Sequence, residues 1–154
     1  MTSSKKTGTE NISTAFFNLF LKELREMYQA ENKQVINFLD LCNATFAEDL
    51  EHCFENHNRE TVGHVDRLEI IFDHLNELPL NSGNQEVDGL FKEAKKKLKD
   101  VKEKGPINDS NLIMVAKKIE HYEISAYSTL LAMAKILRLD DCAKLLRETL
   151  EEEK

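Results

Sequence analysis

Between Phe17 and Phe38 the apolar side chains fall at steps of three and four: Phe17, Phe20, Leu21, Leu24, Tyr28, Val35 and Phe38. That period belongs to one face of an α-helix and not to a strand. The position that continues the seam between Tyr28 and Val35 is Glu31, a carboxylate where core is expected. The combination recurs in three further segments. Phe46, Leu50 and Cys53 lead through His57, Glu60 and His64 to Leu68, Ile71 and Leu75. Ile113 and Ala116 lead through Glu120 and Glu123 to Tyr127, Leu130, Ala134 and Leu137, and Leu139, Ala143, Leu146 and Leu150 lead to Glu153. Each seam is helical, and each carries an acid or an imidazole.

Stop and start signals divide the chain to match. Ser13 or Thr14 is placed to cap the first helix, which runs to about residue 41. Asn43 or Thr45 can cap the second, and Thr45-x-x-Glu48 fits a capping box. The break from Pro79 to Asn84 precedes the lysine-rich "EVDGLFKEAKKKLKDVKEKG", an amphipathic segment with few apolar positions that ends at Gly105-Pro106 and reads as a surface crossover helix. Asp109 or Ser110 caps a third core helix, and a short fourth begins near Asp140. With five Gly and two Pro in 154 residues, turns are scarce, and the fold class is all-α. Two long helices, a crossover and two more predict a ferritin-like four-helix bundle with an extra crossover helix. Residues 1–12 read as a flexible N-terminal tail, and 13–154 as a single helical domain.

Charge and cysteines narrow the function. A net charge of −7 argues against a nucleic-acid or anionic-membrane partner. No apolar run is long enough for a signal segment or a membrane span, so a cytoplasmic location is expected. Cys42, Cys53 and Cys142 are odd in number and far apart, which predicts buried small apolar residues, with neither a disulfide framework nor a thiolate metal site.

Taken singly, a glutamate on a nominal seam is most simply a solvated edge residue, and a lone histidine a hydrogen-bonded one. Their joint occurrence on four helices at similar depth changes that reading. Glu31, Glu60, Glu120, Glu123 and Glu153 would converge in one layer, where desolvation and mutual repulsion raise their cost. The seams supply no Lys or Arg to neutralise them, and a pair of divalent cations would do so. Carboxylates with one or two imidazoles inside a bundle form the donor set of di-iron and di-manganese proteins.

The segments "FLKELREMYQAENKQV", "ETVGHVDRLEIIF", "AKKIEHYEISAYSTL" and "CAKLLRETLEEEK" resemble the bacterial YciE/YciF-type ferritin-like family, distant relatives of rubrerythrin. The resemblance runs from about Asn18 onward, and "EHYEISAY" and "TLEEEK" are its most specific blocks. It implies a two-metal centre, iron in preference to manganese, a homodimer and a link to stress. Carried over by position, it implies Glu31 from the first helix, Glu60 with His64 or else His57 from the second, and Glu120 and Glu123 from the third. The second helix departs from the usual Glu-x-x-His spacing, and no His follows the fourth-helix acids. There Glu153 is in phase with the seam, with Glu152 as the alternative. Tyr28 and Tyr127, one turn from the acids, are candidates to hydrogen-bond the ligands. The expected function is a di-iron carboxylate protein reactive toward peroxide or oxygen, its electron donor unidentified. The alternatives are a metal-stabilised, non-catalytic stress-protective dimer and a metal-free interaction module with protonated carboxylates.

Overall fold

The computed structural model describes residues 3–80, 83–100 and 103–154, with side chains from residue 11 onward. It contains five helices among these residues: α1 (Ser3–Ala44), α2 (Glu48–Leu75), α3 (Gln85–Asp100), α4 (Pro106–Ile136) and α5 (Asp140–Glu153). The helical backbone reaches back to Ser3, so neither Ser13 nor Thr14 caps α1. Residues 1 and 2 of the expected tail lie outside the described residues.

α1 and α2 form one antiparallel hairpin and α4 and α5 the other, with α1 packed on α4 and α2 on α5. α3 carries the chain between the hairpins, lying on α4 and α1 with Val87, Phe91 and Ala94 buried beneath it. It is therefore a crossover helix with an apolar underside, described from Gln85 to Asp100. This is the bundle with one long connection that the seams predict. Its core is built from Phe20, Leu24, Phe38, Leu68, Ile71, Ile119, Leu130 and Leu146, each almost wholly buried.

The caps of α2 and α4 also differ from expectation. α2 begins with Ala47 at its cap position, so the Thr45-x-x-Glu48 box does not form and the Thr45 hydroxyl instead donates to the Cys42 carbonyl at 2.8 Å. The two residues that lead into α2 are instead tied across the bundle. The Asp109 carboxylate accepts the Phe46 N–H at 2.8 Å and the Ala47 N–H at 2.9 Å. Asp109 can do this because α4 starts at Pro106, which puts it inside the first turn and not at the cap. Asn108 donates to the Ala44 carbonyl alongside, so the start of α4 is tied to the α1–α2 turn. At the other end Asn76 and Arg138 take the left-handed conformation and close the turns after α2 and α4. Of the cysteines, Cys42 and Cys142 are buried as expected, whereas Cys53 is exposed; all three are free thiols.

Candidate metal centre

Four helices each send one or two polar side chains into a layer that is otherwise apolar. Glu31 of α1, His64 of α2 and Glu123 of α4 have no exposed surface, and Glu153 of α5 is 4% exposed. His64 Nδ1 lies 3.3 Å from Glu31 Oε1 and 3.2 Å from Glu153 Oε1. These oxygens are close, yet they sit off the direction a ring N–H would take, and His64 Nδ1 has no hydrogen-bond partner. Both oxygens of Glu123 and both of Glu153 are likewise buried without a hydrogen-bond donor. Five orphaned atoms facing one another are costly in a dry interior unless something positive stands between them.

The donor atoms sort into two groups. Glu31, His64 and Glu153 can each offer an atom within 4.8 Å of the others, and so can His57, Glu123 and Glu153. Glu153 belongs to both groups, as a bridging carboxylate between two adjacent cations would. Oxygen and imidazole donors in this proportion suit iron or manganese, so the residues present fit a pair of divalent ions.

Around the donors runs a second set of contacts that fixes their orientation. Tyr127, fully buried, donates its hydroxyl to Glu31 Oε1 at 2.6 Å, and Gln34 donates to Glu31 Oε2 at 3.4 Å. The Gln34 carbonyl oxygen lies 3.3 Å from His57 Nε2 and stands as its acceptor. His64 Nε2 lies 3.0 Å from Glu152 Oε2. A carboxylate can only accept, so Nε2 carries the proton and the Nδ1 lone pair is turned inward. Glu152 is held in turn by the Arg67 fork, with Nη1 at 2.8 Å from Oε2 and Nη2 at 2.6 Å from Oε1.

Protonation equilibria reflect this crowding. Burial, then the charges of Glu31 and Glu153, push the Glu123 carboxyl well above its ordinary range. Burial also raises Glu153, with Glu31 adding to it while Glu123, His64 and His57 oppose. For His64, burial works against the imidazolium, but Glu31, Glu153 and Glu152 outweigh it and the net shift is upward. Tyr127 is held well above the usual phenol value by burial and by Glu31. Glu152 moves the other way, because its bonds to Arg67 favour the ionised form.

Of the residues expected from sequence, Glu31, His64, Glu123 and Glu153 meet in this layer, His57 joins them half-buried, and Tyr127 bonds to it. Both histidines border the layer, one in each group. Glu60 and Glu120 do not enter. The inner face of α2 passes through His57, Thr61, His64 and Leu68, and Thr61 is fully buried where Glu60 is exposed. The inner face of α4 passes through Leu112, Val115, Ile119 and Glu123, which turns Ile113 outward and leaves Glu120 at the edge, paired with Lys117 at 3.0 Å. Each displaced glutamate is one residue out of phase with the buried line. Glu152 is not a donor to the cluster but the acceptor behind His64. Tyr28 donates to Glu69 at 2.9 Å and not to the cluster. Sequence reasoning missed Gln34 and Arg67, although each stands three residues after a site residue, Glu31 and His64, where helical spacing brings side chains together.

The family model described as "Domain of unknown function (DUF892)" matches residues 15–154. This chain belongs to that family. Among curated proteins, protein YciF of Escherichia coli K12 is 36% identical over 138 residues, covering 89% of this chain and 82% of its own. The crystal structure of the E. coli stress protein YciF superposes with a TM-score of 0.85 at 34% identity, over 90% of this chain and 87% of that one. The chain also matches YcfI, "a putative structural protein from Rhodopseudomonas palustris", with a TM-score of 0.86 at 31% identity over the same shares.

Proposed function

We propose that the chain is a di-metal carboxylate protein of the stress response, with iron as its metal, reactive toward peroxide or dioxygen. The observation that carries this reading is the set of orphaned buried donors, His64 Nδ1 and both oxygens of Glu123 and Glu153, arranged as two groups that share Glu153. Bound there, a pair of ferrous ions would supply two electrons at a Lewis-acid centre, enough with two protons to take one peroxide to two waters.

The chain's own residues do the rest. Glu31, His64 and Glu153 would hold one ion and His57, Glu123 and Glu153 the other. Tyr127 and Gln34 fix the Glu31 carboxylate, and Glu152 keeps the His64 proton on the outer nitrogen. Leu68, Ile119 and Leu130 keep bulk water out of the layer. A homodimer, implied by the family resemblance, and a cytoplasmic location belong to the same proposal. No helix among the described residues is long and apolar enough to cross a membrane.

The full enclosure of Glu31, His64 and Glu123 supports a second reading, in which the ions stabilise the bundle without turnover. Metal analysis of protein purified without chelator or added metal, followed by iron loading, tests the centre itself. About two ions per chain are expected, and Glu31→Ala with Glu123→Ala together should abolish loading. Full metal content in the double variant would sink the proposal. Peroxide consumption by the iron-loaded chain separates the two readings: turnover is expected, and its absence alongside full loading selects the structural role.

A further inference from the structure

His57 faces two ways. One of its ring nitrogens is a donor in the group with Glu123 and Glu153, while the same ring forms part of the wall of a recess between α1, α2 and α4. The recess has a volume of about 130 Å³ and is walled chiefly by Phe38, Leu50, Phe54, Ile113 and Ala116, with Lys117, Glu120 and Cys53 completing its lining. The His57 ring lies against Phe38, centroids 4.9 Å apart, and Phe38 meets Phe54 edge-on at 5.5 Å. Glu31, His64, Glu123 and Tyr127 are sealed, so half-buried His57 is the member of the two donor groups that borders this space.

We propose that this recess admits and holds dioxygen, which reaches the candidate centre past His57. The proposal rests on the di-metal reading and adds its substrate and its route. The chemistry of the walls selects the occupant. A molecule lodged among Phe38, Leu50, Phe54 and Ile113 gives up its hydrogen bonds to water and recovers few. Dioxygen has none to lose, whereas peroxide and every anion do. The volume suits a molecule of a few atoms and excludes a peptide or a nucleotide, since sites for drug-sized ligands begin at about 300 Å³. Apolar cavities take up xenon, which makes xenon a probe of this recess that needs no metal.

Two substitutions of the space test it. Ala116→Phe fills the recess from α4. Alkylation of Cys53 with a bulky maleimide blocks it from α2 in the native chain, selectively because Cys42 and Cys142 are buried. In xenon-pressurised crystals of the unaltered protein, xenon is expected beside Phe38 and Phe54, and it should be missing from both blocked forms. The ferrous-loaded blocked proteins should react with dioxygen at least tenfold more slowly in stopped flow, at unchanged iron content and unchanged melting temperature. Iron bound with no xenon in the recess would overturn the recess alone. Xenon bound, yet equal dioxygen rates in blocked and unblocked protein, would overturn the route. A chain that takes up xenon but no iron would overturn the di-metal reading and this route with it.

Discussion

Glu123 is the residue at which electrostatics and packing conflict most openly. Its carboxylate is fully enclosed, has no donor, and faces Glu31 and Glu153. Removing its charge while keeping its shape should relieve the metal-free fold and weaken metal binding together. Glu123→Gln is therefore expected to raise the melting temperature of the chelated protein and to lower iron content, measured by calorimetry and metal analysis. Glu120→Gln, at the edge beside Lys117, should change neither by much. If the Glu123→Gln variant melted no higher than its parent without metal, the carboxylate would not be under the strain assigned to it. Arg67 acts at one remove. It grips Glu152, which holds the His64 proton outward, and partners of this kind typically affect metal affinity by about 10- to 100-fold when lost. Arg67→Gln should weaken binding by that order. It should also shift the His64 ring nitrogens toward the other tautomer in nitrogen NMR, a change that loss of packing alone would not produce.

Helix α5 is short, and its last turn carries Glu152 and Glu153, so much of the site depends on the end of one element staying wound. Arg67 helps, because its bonds to Thr149 and Glu152 tie that turn to α2. Since Glu153 serves both donor groups, Glu153→Ala should reduce occupancy at both metal positions, while exposed Glu151→Ala leaves both intact. Anomalous scattering from iron-soaked crystals checks this, and loss at a single position would show that Glu153 does not bridge. At the opposite end Asp109→Ala removes the acceptor for the Phe46 and Ala47 amides in the turn before α2; leaving a buried N–H unpaired typically costs about 1–3 kcal/mol, and the change should lower the melting temperature without changing metal content. The helices themselves were legible in the sequence because their apolar period is long, and α5 begins at Asp140 as expected. What the sequence left open was phase. Glu60 and Glu120 lie within a residue of the true inner line, and an average over a seam cannot say which of two neighbours faces the core. Only packing decides that, by burying Thr61 and Ile119 instead. The tie ahead of α2 was hidden for a different reason, since Asp109 stands 62 positions from Ala47 in sequence. Glu31, Glu123 and Glu153 were legible because each lies squarely on its seam.

For the whole molecule, the cluster ties stability to pH and to metal through the same atoms. Glu123 and Glu153 have folded-state pKa values above the ordinary 4.5, and His64 lies above the ordinary 6.5. A group raised on folding binds its proton more tightly in the native state. Its contribution is fully present below the unfolded pKa and is lost as pH rises through the folded one. The chelated protein should therefore be most stable in mild acid and lose stability steadily from about pH 5 toward pH 8, the window in which raised carboxyls and a raised imidazole give up protons. Metal reverses the preference. Its ligands must be deprotonated, so binding strengthens over the same interval and replaces the lost protons with a cation. The gap in melting temperature between iron-loaded and chelated protein is then expected to widen with pH. At free metal about 100-fold above the dissociation constant, linkage adds about 2.7 kcal/mol, which for a domain of this size corresponds to about 5–10 °C. Calorimetry at about pH 5, 6.5 and 8, with and without chelator, reads the gap directly across that window. A gap that did not grow with pH, or a chelated protein most stable at the alkaline end, would mean that these three groups are not the ones joining metal to fold. Glu123→Gln supplies the internal check, because it removes one of the raised groups and should flatten the pH profile of the chelated protein while leaving the five helices in place.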